Sequence, residues 1–336
     1  MKMTVLSILV VLAFSACRAQ GDSTFAINLT VNDYGLSLGN SKNVNGIRIN
    51  FIDHNINEIN GINITLWKAK NPGGRVSGFA LGLVAPEANE LRGISLGLVG
   101  VGASNKIKGL AIGGLGVGAG EEITGIAIGG LGVGSGGDVN GLAFGLLGAG
   151  AGENMTGIAI GGLGAGSGND MTGFALGLLG AGAGNNFSGV ALGGLGAGCG
   201  ENLSGLAIGL LGIGAGENIN GIAIGGIGVG CGQKFTGIAL AAGGVGAGEQ
   251  IKGFAIGGLG VGSLKLGGFA AGGYIRIDQI KGITAGGLVR SKSYSGFSIA
   301  LVNIARELKG LQLGVINYAG NNPRFLKVLP VVNAHL

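Results

Sequence analysis

The chain is short of the residues from which most active sites are assembled. It has two histidines and three cysteines in 336 residues, and 11% of its residues are charged. His54 stands in a polar stretch and His335 beside the C-terminus. Neither has a Ser, a Cys and an acid around it in a recognisable arrangement, so neither reads as a catalytic base. Cys199 and Cys231, two thiols without further ligands nearby, fall short of a metal site. There is no Gly-Lys-Ser/Thr phosphate loop. Strings such as GLGVG at 114–118 recur in every unit of a long array, whereas a dinucleotide loop needs one strand-to-helix turn and an acid about twenty residues on. No enzymatic activity, metal or cofactor is therefore expected. The calcium-binding GGxGxD nonapeptide is also missing, and no segment reaches the roughly eighteen apolar residues of a membrane helix.

Glycine is what the chain has in excess, at 80 residues. It follows no three-residue period, which excludes collagen. With 46% hydrophobic residues the chain carries too much apolar surface for a disordered linker. It is expected to fold.

The net charge of +5 hides a segregation. Residues 109–252 hold eight acids and two lysines, a net −6, while 253–336 hold nine bases and two acids, a net +7. A nucleic-acid binder would cluster its bases with aromatics on one element. Here the array is acidic and the bases are scattered through both ends, so no nucleic acid is expected as a partner.

The first nineteen residues have the layout of a secretory signal peptide: Lys2, an apolar run from Val5 to Phe14, then small residues. Cleavage after Ala19 is one route. The other makes Cys17 a lipidated N-terminus, because Phe14-Ser15-Ala16-Cys17 loosely resembles a lipobox. Both routes take the protein out of the cytoplasm. Residues 20–45 read as an entry segment and 46–336 as a single repeat domain.

Between Gly93 and Lys252 a sixteen-residue unit recurs ten times, as in GIAIGGLGAGSGNDMT (157–172) and GFALGLLGAGAGNNFS (173–188). A fixed period means one small unit leaning on its neighbours. Numbered from its first glycine, the unit has large apolar residues at positions 2 and 4 and Ala at 3, a period-two pattern that reads as a strand. Every charge sits at position 13, 14 or 16, which marks a turn, and the apolar residue at 15 reads as a plug anchoring that turn. Unit-like glycines continue outward at 46, 61 and 78, and at 268, 282, 296 and 310.

Two architectures fit: a solenoid of parallel coils, and an up-and-down barrel of antiparallel strands. From 125 to 236 the units alternate, with Gly or Leu at position 6 and Ser/Cys or Ala at position 11; units 93 and 109 break the pattern. Alternation over thirty-two residues suggests two environments, up and down. The expected fold is therefore all-β, a closed antiparallel up-and-down barrel of about sixteen-residue strand-turn units, with a β-solenoid as the alternative. On that reading Ile158 and Ile160 share a buried layer with Phe174 and Leu176, and turns of consecutive units lie at opposite rims. Cys199 and Cys231 lie on next-but-one strands, about 9–10 Å apart, beyond disulfide reach. The apolar band, at roughly 14 Å, is shorter than the roughly 25 Å of a transmembrane barrel.

The tandem GLAIGGLGVGAG units, the entry YGLSLGNSKNVNGIRINF (34–51) with GINITLWKAKNPGGRVSGFALGLV (61–84), and the ending LKGLQLGVINYAGNNPRFLKVLPVVNAHL (308–336) together resemble a family of bacterial surface-repeat proteins. That family is exported and Gram-negative, and its members are similar to shallow, symmetric "β-flower" barrels. The resemblance covers nearly all of the mature chain. It implies an outer-membrane-associated, periplasmic or surface protein and brings no catalytic residues. This chain ends in Leu336 where related chains often end in Phe.

The function expected is that of a non-enzymatic envelope protein engaging lipid, a membrane surface or another hydrophobic partner, with a structural spacer or adhesin as the alternative. Trp67, Tyr274, Tyr294 and Tyr318 lie near Lys68, Lys70, Arg276, Arg290 and Lys292, and aromatics among bases can mark a membrane interface. The Cys17→Ser variant separates the two processing routes. If Cys17 is acylated, the full-length precursor accumulates; if the cut follows Ala19, the mature chain still begins at Gln20. N-terminal sequencing of the envelope fraction reads the difference.

Overall fold

The computed structural model describes residues 25–335. The leader expected over 1–19, Cys17 included, lies outside them. The chain divides into two compact units at Gly162/Leu163, and each unit is a β-solenoid.

A regular coil of the first unit contains a long strand, Asp138–Gly145, a bend, and a short strand, Gly148–Ala151. The neighbouring coil lies parallel and in register: Val139 faces Met155, Gly141 faces Gly157, and Gly132 faces Gly148. The second unit repeats the plan. Asn202–Gly209 and Gly212–Ala215 form one coil, with Leu203 facing Ile219 and Gly212 facing Gly228. From Gly253 the coils shorten to fifteen and then fourteen residues, and one strand, Gln250–Ala319, runs through the bends without a break.

The closed antiparallel barrel is thereby overturned. The turns of consecutive coils stack on one ridge. Asp138 Oδ1 accepts the backbone N–H of Asn154 at 3.0 Å and its side-chain amide at 3.1 Å. Asn186, Asn202 and Asn218 form an amide ladder at 2.9 and 2.8 Å. The thirty-two-residue alternation does not mark two strand directions. At position 6 a Cβ on Gly130, Gly194 or Gly226 would overlap the carbonyl oxygen of the coil beneath. Leu146 in the first unit, and Leu178 and Leu210 in the second, hold the same corner position and project outward. Leu66, Leu83 and Leu98 do so on three consecutive coils, so the corner accepts either residue within one parallel stack.

The strand faces are also reversed. Position 15 is buried as the pattern suggests, with Met155, Phe187, Ile219 and Phe235 sealed inside. The rest of the interior is filled by smaller residues: Ala159, Ala191 and Ala223 at position 3 are fully buried, and position 9 holds Val or Ala except at Ile213. The expected buried layer of Ile158 with Ile160, Phe174 and Leu176 is instead the outer face. Ile158 is 40% exposed, and the other three are half-buried. Two strands facing each other across a coil of sixteen residues leave room for methyl groups, not for rows of isoleucine. Position 1 must be glycine: Gly141 and Gly221 have φ of +132°, and a Cβ there would overlap the carbonyl of the preceding coil's glycine.

The terminal edges are covered by antiparallel strands. Ala26–Val31 hairpins onto Tyr34–Gly39, which pairs parallel with the coil that follows. At the other end Val328–His335 runs antiparallel along 310–318. Both devices occupy edges that would otherwise recruit another chain.

This packing makes a comparison testable. Ala159→Leu forces a large side chain into a column of alanines and should cost about 1–3 kcal/mol. Ile158→Thr, on the outer face, should stay within about 0.5 kcal/mol. Urea denaturation of the two variants should give that order, and the reverse order would restore the barrel's assignment of faces.

Candidate interaction surface

The outward positions of the coil are 2, 4, 6 and 7. From the coil at Gly46 to the coil at Gly310 none of them carries a charge in any unit. Many stand open to solvent: in the first unit Ile94, Leu98, Leu115, Leu131 and Leu146, and in the second Leu178, Leu210, Ile227, Phe254 and Leu259. Parallel registry turns these residues into continuous apolar rows along each unit. Rows of this kind are not what an isolated soluble protein usually exposes.

The expected interfacial aromatics divide. Trp67 and Tyr274 both occupy position 7, the outer corner, and are 52% and 40% exposed. Tyr294 is not at the surface. It is 1% exposed, its hydroxyl lies 2.8 Å from Thr284 Oγ1 and donates to the Phe297 carbonyl at 2.7 Å, and burial pushes its phenol up. Tyr318 is half-buried beneath the closing strand, opposite Val328.

Charges flank the bends, many of them within strands, and most ion pairs join neighbouring coils. Arg75 meets Glu58 at 2.6 Å, Lys106 meets Glu122 at 3.1 Å, and Lys292 meets Asp278 at 2.7 Å. Cys199 and Cys231 stack two coils apart with Ala215 between them. Both are free thiols, half-buried, and burial raises their pKa, which suits packing better than nucleophilic chemistry.

Two polar clusters sit inside the solenoid ends: Arg48 and Asn63 stand where regular coils have alanine, and Asn303 and Asn317 continue the buried column of Val261, Ile275 and Val289. In the first, Arg48 bonds Asp53 Oδ1 at 2.6 Å, Asn63 Oδ1 at 2.8 Å and Asn40 Oδ1 at 2.8 Å. Asn63 and Thr65 donate to Asp53 Oδ2 at 3.0 and 2.8 Å. The ion pair is sealed, with side chains 0% and 2% exposed. In the second, Asn303 and Asn317 stack on adjacent coils, linked at 2.7 Å, and Ser298 Oγ donates to Asn303. Neither opens to a substrate; both tie terminal coils together. His54 contributes its backbone to the first cluster, and His335 Nδ1 lies 2.6 Å from Asn322. Among the described residues no group of three or more His, Cys, Asp or Glu gathers as a metal site, and no helix is long and apolar enough to cross a membrane.

The comparisons add no relative: no protein-family model, curated protein or solved structure matches the chain.

Sequence reasoning placed the large apolar residues inside and so missed the outer rows. The signal that would have found them is the near-constant Ala at position 3 (Ser95 in the first unit), flanked by large residues at 2 and 4. A position that takes almost only methyl-sized side chains is the crowded one.

The buried ion pair yields a prediction. Asp53→Ala strands the Arg48 guanidinium in a dry interior and should cost about 3–5 kcal/mol. Arg48→Met/Asp53→Leu removes both charges and should recover most of that loss. Chemical denaturation of the two variants reads the difference.

Proposed function

We propose that this chain is a non-enzymatic structural protein of the bacterial envelope, a solenoid scaffold whose uncharged outer rows rest on a lipid surface. The single observation carrying this reading is the absence of charge at positions 2, 4, 6 and 7 together with the exposure of their leucines and isoleucines. Trp67 and Tyr274, open at the corner, suit the headgroup level of a bilayer, where amphipathic rings collect. Attachment is peripheral: the rows lie flat on the acyl boundary and the charged turns stay in water. The leader-like first nineteen residues and the resemblance to exported repeat proteins support delivery to the envelope. A spacer or adhesin with the same scaffold would use the rows to hold other proteins.

Flotation with phosphatidylcholine vesicles tests this. The mature chain should rise with the vesicles. Leu178→Ser/Leu210→Ser removes two projecting side chains, each contributing on the order of 1 kcal/mol when buried, and should weaken flotation about tenfold or more while leaving the β-sheet circular dichroism unchanged. A wild-type chain that stays at the bottom of the gradient would sink the lipid reading in favour of a spacer.

A further inference from the structure

We infer that the short-strand side of the coils between Arg276 and Arg306 is a binding site for a phosphate group. In this solenoid a charged residue usually meets its opposite one coil away, as in the pairs at Glu58, Glu122 and Asp278. The coils from 268 to 310 break that habit. Their repeat is fourteen residues, fixed by the Lys292–Asp278 and Asn303–Asn317 bonds. Arg290 therefore stacks on Arg276, and beside them Arg306 stacks on Lys292. Like charges directly opposite in a sheet destabilise it. Like charges also meet elsewhere, Glu122 facing Asp138 and Arg92 facing Lys108, but there Lys106 bonds Glu122 and Glu90 bonds Arg92; Glu201 over Glu217 is a single pair, whereas the arginines form two basic columns side by side.

The columns enclose a small cleft of about 60 Å³ lined by Arg276, Asp278, Arg290, Ser291, Lys292 and Arg306. Its one acid, Asp278, is bonded to Lys292 at 2.7 Å. Among the described residues no ion pair joins Arg276, Arg290 or Arg306 to a carboxylate, so the cleft keeps three uncompensated guanidinium groups. Arginine rather than lysine dominates, and the planar fork of a guanidinium matches the oxygens of a phosphate two at a time. The cleft has room for a small tetrahedral oxyanion and not for a sugar or a base. A phosphate seated there bridges coils that otherwise repel. The group could arrive free or as the exposed phosphomonoester of a lipid headgroup; the chemistry of recognition is the same. The inference does not depend on the outer apolar rows.

The test uses the mature chain in phosphate-free buffer, titrated with inorganic phosphate and pyrophosphate in a calorimeter and, separately, floated with vesicles of phosphatidylcholine containing phosphatidic acid. Phosphate or phosphatidic acid should bind, and Arg276→Gln/Arg290→Gln should weaken binding about tenfold or more. Without phosphate that variant should melt no lower than wild type, because it relieves a like-charge stack. Arg306→Gln, on the other column, gives an independent reading should the double variant fold poorly. Lys281→Gln/Lys309→Gln removes equal charge outside the cleft and should leave binding intact. Binding of free phosphate identifies a small-anion site; binding only to phosphatidic acid vesicles, lost in the arginine variants, identifies a headgroup site. Wild-type binding to neither ligand, or equal weakening by the lysine and arginine variants, overturns the inference. Leu178→Ser/Leu210→Ser should retain phosphate binding, and the arginine variants should still float with pure phosphatidylcholine, so failure of either reading leaves the other legible.

Discussion

Everything in this structure follows from parallel, in-register pairing, which sets each residue about 4.8 Å from its counterpart in the next coil. A side chain in such a stack meets a copy of its own position before anything else. Amides profit, because each donates to one neighbour and accepts from the other, as Asn186, Asn202 and Asn218 do. Charges suffer unless their neighbour is neutral or opposite, so most are spaced by Asn, Gly or a partner of the other sign, and the like-charge stacks at Arg276 and Arg290 stand out. Glycine is recruited where a coil bends so sharply that a Cβ would strike the carbonyl of the coil beneath, as at Gly141.

The same constraint decides what is inside. The interior of a sixteen-residue coil is narrow: the column at position 3 is methyl-sized, that at position 9 runs from Ala to Val and Ile213, and the largest side chains fill position 15. Larger apolar residues are displaced to the outer face, where stacking along the rows half-covers residues such as Ile160 and Leu176. The polar residues sealed near the ends, Arg48 with Asp53 and Asn303 with Asn317, stand where inner coils carry alanine, valine or isoleucine. There a directed bond network fixes the register that repetition fixes elsewhere.

Much of this was legible before any coordinates. The strand assignment, the coil boundaries and the inward plug at position 15 all follow from the period and its polarity; of the charged positions expected in turns, 13 lies in the bend, whereas 16 and most residues at 14 lie in the long strand. Two things were not. The direction of pairing was misread because the alternation of Gly130, Leu146 and Gly162 looks like two strand environments, whereas one outer corner of parallel coils accepts either residue. The faces were misread because size was taken as a sign of burial; at Ile158 and Ala159 the smaller residue is the buried one. The basic cleft was visible only as scattered arginines, since Arg276, Arg290 and Arg306 come together only once the coil length of fourteen is known.

The corner at position 6 also bears on how such a chain can lengthen. Leucine already stands on leucine there at Leu66, Leu83 and Leu98, all of them projecting, and glycine on glycine at Gly114 and Gly130. The corner thus accepts either order, so a single coil can be gained or lost without disturbing its neighbours' outer face. The unit of growth and the unit of structure are both one coil, and the thirty-two-residue pattern is a feature of the sequence laid over a fold that repeats every sixteen.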